Sequence, residues 1–235
     1  MEGGKDEQKK ETVIISVGGS LIVPEDISQG FVSRFKKTIE HQVDEGRRFV
    51  IIAGGGATAR EYQTAAKEFK ELSPEDIDWI GINATRLNAN FLRIIFDERA
   101  ADEIIIDPTK DIVLDKPVMV AAGWQPGAST DYVAVLIAQK LGAKKMINLT
   151  NIDYIYDARR AEETGVITPI TDLAWETFRG MIPGEWDPGL NAPFDPVASR
   201  LAETIGLEVA NINGQILEEL EKYLRGETFR GTLIH

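Results

Sequence analysis

"TVIISVGGSLIVPED", residues Thr12 to Asp26, is the stretch on which the fold turns. Val13, Ile14 and Ile15 form an uninterrupted apolar run, the pattern of a strand buried on both faces, as strands of a parallel sheet are. The run ends in Gly18, Gly19 and Ser20 instead of a polar turn. Adjacent glycines at a strand end let the backbone turn sharply and leave its N–H groups uncovered. Working outward, helical periodicity over Ser28 to Glu45 leads to a second apolar run, Arg48 to Ala53, which again ends in glycines, Gly54 to Gly56. The reading is a β-loop-α-β unit with a glycine loop at two strand ends.

Alternation continues downstream. Helices are predicted over Thr58 to Glu71 and Pro74 to Glu98, the second opened by Ser73 as N-cap and Pro74 at the first helical position. Short apolar runs follow at Glu103 to Ile106 and Val118 to Ala121, then a helix from Asp131 to Leu141 and a strand from Lys145 to Leu149. Past an irregular stretch from Tyr154 to Pro193, with one helix at Asp172 to Met181 and loops rich in proline and glycine from Pro183 to Gly189, the pattern predicts a helix over Pro196 to Ile205 and a strand over Leu207 to Ala210. A helix over Gly214 to Leu224 and a strand over Gly231 to Ile234 complete it. This order predicts an α/β fold of three layers, a mainly parallel central sheet with helices on both faces. The charged segment Met1 to Glu11 reads as a mobile tail, and residues 12 to 235 as one domain.

Composition narrows the function classes. Asp and Glu number 38 against 26 Lys and Arg, a formal charge of -12. A field of that sign repels nucleic-acid backbones and anionic membranes, so small molecules and protein chains are the expected partners. With no cysteine there are no disulfides and no thiolate metal sites. No apolar segment is long enough to span a membrane, the N-terminus lacks an apolar signal core, and a cytoplasmic protein is expected. Only His41 and His235 are present, which argues against a histidine metal site and a Ser-His-Asp triad.

Ligands of such sheets bind beyond the carboxyl ends of the strands. Three of those ends carry unusual chemistry: Gly18-Gly19-Ser20, Gly54-Gly55-Gly56 and Thr150-Asn151-Ile152-Asp153. One glycine loop is explained equally by a strand-to-helix turn; two at corresponding ends suggest phosphates held between them. Gly54, Gly56 and Ala59 also fit the dinucleotide fingerprint G-x-G-x-x-A, but the acidic residues about twenty positions on, Asp76 and Asp78, do not end an apolar strand. No G-x-x-x-x-G-K-[ST] occurs. Asp131, in the first turn of its helix, reads either as a cap or as a group that orients donors around a transferring phosphoryl.

The segments "VGGSLIVPE", "AGGGATAREY", "DWIGINATRLNANFL", "PGASTDYVAVLIA", "LTNIDYIY" and "FDPVASRLAE" together resemble the amino acid kinase family, and within it the archaeal-type uridylate (UMP) kinases. The resemblance implies ATP-dependent conversion of UMP to UDP, with Mg²⁺ accompanying ATP, and a homo-oligomer, commonly a hexamer. It implies donor-nucleotide contacts from Gly18, Gly19, Ser20, Gly56, Thr150, Asn151, Tyr156 and Asp157. UMP contacts would come from Gly55, Asp78 and the stretch Trp124, Gln125, Pro126, Gly127, Ala128, Ser129 and Thr130. Arg60 would contact phosphate, and Asp131 would be the organising carboxylate. No protein metal site is implied.

Other members of the fold phosphorylate carboxylates, carbamate or isopentenyl phosphate. The last resembles a pattern with histidine where this chain has Arg60, and the acyl-phosphate makers carry a lysine where this chain has Ser16 or Val17. Three departures from the UMP kinase pattern stand out. Ala57 replaces a lysine after the triple glycine, Tyr154 replaces a glycine, and Asp157-Ala158-Arg159-Arg160 replaces T-A-D-P. They leave open a homologue that binds a nucleotide or oxyanion without turnover, and a kinase of the same fold with a different small acceptor is the other alternative.

Overall fold

The computed structural model describes residues 11–184 and 192–235. The segment 1–10, and the part of the Pro183 to Gly189 loop from 185 onward, lie outside the described residues. Strands β1 (Thr12–Val17), β2 (Arg48–Ala53), β3 (Val118–Ala121), β4 (Lys145–Thr150), β5 (Asp172–Leu173), β6 (Glu208–Asn213) and β7 (Gly231–Ile234) form one sheet in the order β3-β2-β1-β4-β6-β7-β5. Every pairing is parallel except β6 with β7.

Helices cover both faces: α1 (Gly19–Ile22), α2 (Gln29–Asp44), α3 (Gly56–Lys67), α4 (Pro74–Phe96), α5 (Thr130–Leu141), α6 (Ala158–Thr164), α7 (Trp175–Met181), α8 (Pro196–Thr204) and α9 (Leu217–Leu224). Side chains alternate across each strand, so Val13, Ile15 and Val17 enter one core with Phe31, Phe35, Leu92 and Leu220. Ile14, Val50 and Ile52 enter the other, with Val133, Ile137, Phe178 and Phe194. The uninterrupted apolar runs of the sequence are the consequence of two buried faces.

Register places the chemistry. Val17 pairs with Ala53 and with Leu149, and Ile52 pairs with Ala121. The residues that follow, Gly18, Gly54, Ala122–Gly123 and Thr150, therefore emerge side by side at one edge of the sheet. Most expected elements are present with shifted ends, and the Tyr154 to Pro193 stretch, read as loops around one helix, holds α6 as well as α7. Glu103 to Ile106 is not a strand; Ile105 makes an isolated bridge to Ala121. The helix expected from Asp172 begins at Trp175, because Asp172 and Leu173 pair with β7. The helix expected from Gly214 begins at Leu217.

Candidate active site

The two glycine loops press against each other. A Cβ on Gly19 would lie 2.0 Å from the Gly56 nitrogen and 2.7 Å from that of Gly55; one on Gly54 would lie 2.3 Å from the Gly19 nitrogen. Gly56 adopts φ +63, where a side chain is strained. Glycine here is required by backbone-on-backbone packing, whatever else the loops do. The Gly18 and Gly54 amides bind Leu149 O and Val17 O. Those of Gly19, Ser20, Gly55 and Gly56 fall where a helix start offers no intrahelical acceptor.

Two cavities flank this contact. The first, about 540 Å³, is lined by Gly54 to Gly56, Ala59, Arg60, Gln63, Asp78, Thr85, Gly123, Ala128 and Asp195, among others. The second, about 630 Å³, is lined by Ser16, Gly18, Leu21, Asn148, Thr150, Asn151, Ile152, Tyr156 and Met181, among others. Gly19, Ser20, Thr130, Asp131 and Ala192 line both. The cavities thus meet at the first glycine loop and at the start of α5.

Asp131 stands at that junction. Its Oδ1 accepts from the Ser16 hydroxyl at 3.0 Å and its Oδ2 from the Asp195 amide at 3.2 Å. Desolvation at the base of the cavities, reinforced by the charge of Asp195, pushes its carboxyl up to about 6. Asp195 is 5% exposed and caps α8, its Oδ1 accepting from the Ala198 amide at 2.6 Å; burial raises its carboxyl too. The Asp131 hydrogen bonds to Ser16 on β1 and to residue 195 before α8 show it doing more than capping its own helix, a cap that Ser129 supplies by accepting from the Tyr132 amide.

Arg60 is the sole cation among the described residues lining either cavity. It rises from the second turn of α3 and donates to Pro24 O at 3.0 Å and to the Ser20 hydroxyl at 3.4 Å, bridging the two loops. Asp78, on α4, accepts from the Gly127 amide at 2.7 Å and so holds the loop before α5 over the first cavity. Its position on a helix removes the strand-end carboxylate that a dinucleotide fingerprint needs.

The stretch Trp124 to Thr130 divides. Ala128, Ser129 and Thr130 line the first cavity, whereas Trp124, Gln125 and Pro126 line a separate cleft with Trp79, Arg86 and Lys110. Gly127 lines neither, and contributes its amide to Asp78. Arg86, at the outer side of α4, donates to Trp124 O and lies over the Trp79 ring, turned from the phosphate loops. Asp157 caps α6 through the Arg159 and Arg160 amides, beside the second cavity and outside its lining. Of the three sequence departures only Ala158, from the third, lines a cavity, the second. Ala57 is buried, Tyr154 packs against the Arg230 guanidinium, and Arg159 donates to Gly180 O.

Polar lining residues that escaped the sequence reading include Ser16, Gln63, Thr85, Asn148 and Asp195; Asn88, which lines neither cavity and holds the second glycine loop from behind, escaped it too. Thr85 and Asn88 did carry a signal, being polar residues in phase with the apolar face that Ala89, Leu92 and Phe96 present to the core. Among the described residues no group of three or more His, Cys, Asp or Glu could hold a metal ion. No helix of the described residues is long and apolar enough to cross a membrane.

The chain matches the amino acid kinase family over residues 11–211. A uridylate kinase of Hyperthermus butylicus is 33% identical over 231 residues, spanning 96% of this chain and 98% of that protein. One from Methanospirillum hungatei is 31% identical over 234 residues, 95% and 94% of the two chains. The crystal structure of a uridylate kinase from Archaeoglobus fulgidus has a TM-score of 0.80 at 32% identity, covering 95% of this chain and 99% of that one. The UMP kinase of Bacillus anthracis, at 18% identity and a TM-score of 0.76, shares the fold. A family match from β1 through β6, relatives aligned nearly end to end and a common architecture make this chain a member of the amino acid kinase family.

Proposed function

We propose that this protein transfers the γ-phosphoryl group of MgATP to UMP, giving UDP and ADP. The observation that carries the reading is the junction: two cavities of nucleotide size share Gly19, Ser20, Thr130 and Asp131, so a donor in one and an acceptor in the other would present their phosphates to the same backbone amides. Uridylate kinase relatives identical at 31% and 33% over nearly the whole chain support the choice of acceptor.

In this reading the second cavity takes ATP, with Thr150, Asn151 and Tyr156 around its nucleoside and the Gly19 and Ser20 amides on its phosphates, while Gly18, its amide bound to Leu149 O, serves as bare wall. Asp157, beside that cavity, would serve ATP through the cap it gives α6. The first cavity takes UMP, its phosphate at Gly55, Gly56 and Arg60 and its ribose at Asp78, with the 124–130 loop as its wall. The N-termini of α3 and α5 both open on this cavity and add favourable dipoles for an anion. Phosphoryl transfer needs little from a base and much from positioning and charge stabilisation, which suits a site whose lining holds one guanidinium and many amides. Mg²⁺ would arrive with ATP, its coordination completed chiefly by substrate phosphates and water, and Asp131, which lines both cavities, would be a carboxylate available to it.

We further infer that residues 12 to 235 act as one domain in the cytoplasm and that copies self-associate through α4, whose Trp79, Leu87 and Ile94 are 40%, 62% and 63% exposed along one stripe. The resemblance implies a hexamer. ADP release by purified protein, measured with MgATP and UMP, CMP, carbamate or isopentenyl phosphate, tests the activity. UMP is expected to be the strong acceptor; a rate with UMP no higher than background ATP hydrolysis contradicts the proposal.

A further inference from the structure

We propose that Asn88 is a positioning residue for this transfer, aiming the amide donors of the second glycine loop at the acceptor phosphate. The inference rests on the site reading above and adds to it a group that touches neither substrate. Asn88 is 4% exposed on the inner face of α4, and its Nδ2 donates to two consecutive carbonyls, Gly54 O at 2.8 Å and Gly55 O at 3.1 Å. In a trans peptide the C=O and the N–H of one plane point in opposite directions. Drawing the Gly54 and Gly55 carbonyls back toward α4 therefore turns the N–H groups of Gly55 and Gly56 away from it. These nitrogens look across at the first glycine loop, as their distances from a Cβ on Gly19 show.

Glycine is conformationally permissive, and among the described residues the only backbone bond to either carbonyl is a long one, from the Ala59 amide to Gly55 O at 3.4 Å. A buried amide group that satisfies both carbonyls supplies what the glycines lack. Thr85, one turn earlier on the same face, treats the neighbouring loop alike. Its Oγ1 accepts from the Gly123 amide at 2.8 Å while donating to Ile82 O at 2.7 Å, and a Cβ on Gly123 would lie 2.9 Å from that oxygen. One face of α4 thus sets both loops of the acceptor cavity, and no residue of that pair lines the donor cavity.

The test uses the full chain. Asn88→Leu keeps the branched outline of the side chain, with more volume, and deletes the donors; Asn88→Ala opens room for water to satisfy the carbonyls. In steady-state kinetics with both substrates varied, kcat/KM for UMP is expected to fall by ~100-fold in the Leu variant, the scale seen when a preorganised donor is lost, and by less in the Ala variant. KM for ATP is expected to stay within about 3-fold, since uniform binding loss would raise both constants. Unchanged UMP constants in either folded variant overturn the proposal, as does a parallel rise in both KM values that follows the melting temperature. If wild-type protein itself shows no UMP-dependent ADP release, the site reading fails and takes this inference with it; failure of Asn88 alone leaves an active wild type.

Discussion

Arg60 concentrates the electrostatics of the site, because a chain of net charge -12 must bind anions and lines its cavities with this single cation among the described residues. Arg60→Ala is expected to lower kcat/KM for UMP by roughly 100- to 1000-fold with little change in melting temperature, read by coupled ADP release. Asp131 makes a second prediction. Its carboxyl titrates at about 6 in the fold against 3.8 unfolded, because burial disfavours the charge. The penalty is absent below about pH 4, grows as pH rises, and is complete above pH 6. Asp131→Asn removes it, so the stabilities of the two proteins in denaturant melts should coincide near pH 4, separate between pH 4 and 6, and keep a constant difference above that. There the variant is expected to be the more stable, by on the order of 3 kcal/mol, while turnover is lost. A difference independent of pH contradicts this account. Asp131 stood out by its place in a helix start and Arg60 through the family resemblance; sequence hid Ser16 and Asp195, whose contact with Asp131 spans 115 and 64 residues of chain and depends on strand register.

Each element was legible where local chemistry fixes it. Ser73 and Pro74 announced α4, and the capping box is present, with the Ser73 side chain accepting from the Asp76 amide and Asp76 answering to the Ser73 amide. Ser73→Ala is expected to lower stability by about 1 kcal/mol in chemical denaturation, a loss that an uncapped start would not show. Where tertiary pairing decides, the pattern misled. The Glu103 to Ile106 run looks like a strand, yet only Ile105 bridges Ala121, and the chain before α7 joins β7 for two residues before it can begin a helix. The glycine loops are the sharper case. Their composition was read as room for phosphate, and the geometry adds a stricter cause: Gly19 has no space for a methyl group against the Gly56 backbone. Gly19→Ala is expected to cost about 3 kcal/mol or more, since neither backbone can retreat, and a melting temperature near that of wild type would show that the loops do not lock together as described.

Over the whole molecule, the parallel order of β2, β1 and β4 brings three strand ends from residues 18, 54 and 150 into one row, which is why motifs far apart in the chain form one site. That row was foreseeable from the alternation of strands and helices; the division of the Trp124 to Thr130 stretch between the first cavity and a separate cleft was not, because it depends on Asp78 holding Gly127 from another helix. The apolar stripe of α4 lies on the far side of the helix that carries Thr85 and Asn88, so the proposed assembly face and the loops of the first cavity share one element. Leu87→Glu with Ile94→Glu is expected to reduce the assembled mass in sedimentation, because two charges would be buried at the contact. An unchanged mass would place the interface elsewhere. The central claim is that the cavities are halves of one site joined at the glycine loops. A molecule carrying adenosine and uridine joined through five phosphates tests it most directly, by calorimetry against ATP and UMP separately. The account predicts binding at least ~100-fold tighter than ATP alone, with exclusion of both single nucleotides. Affinity no better than that of ATP, or UMP still binding beside it, would contradict the claim.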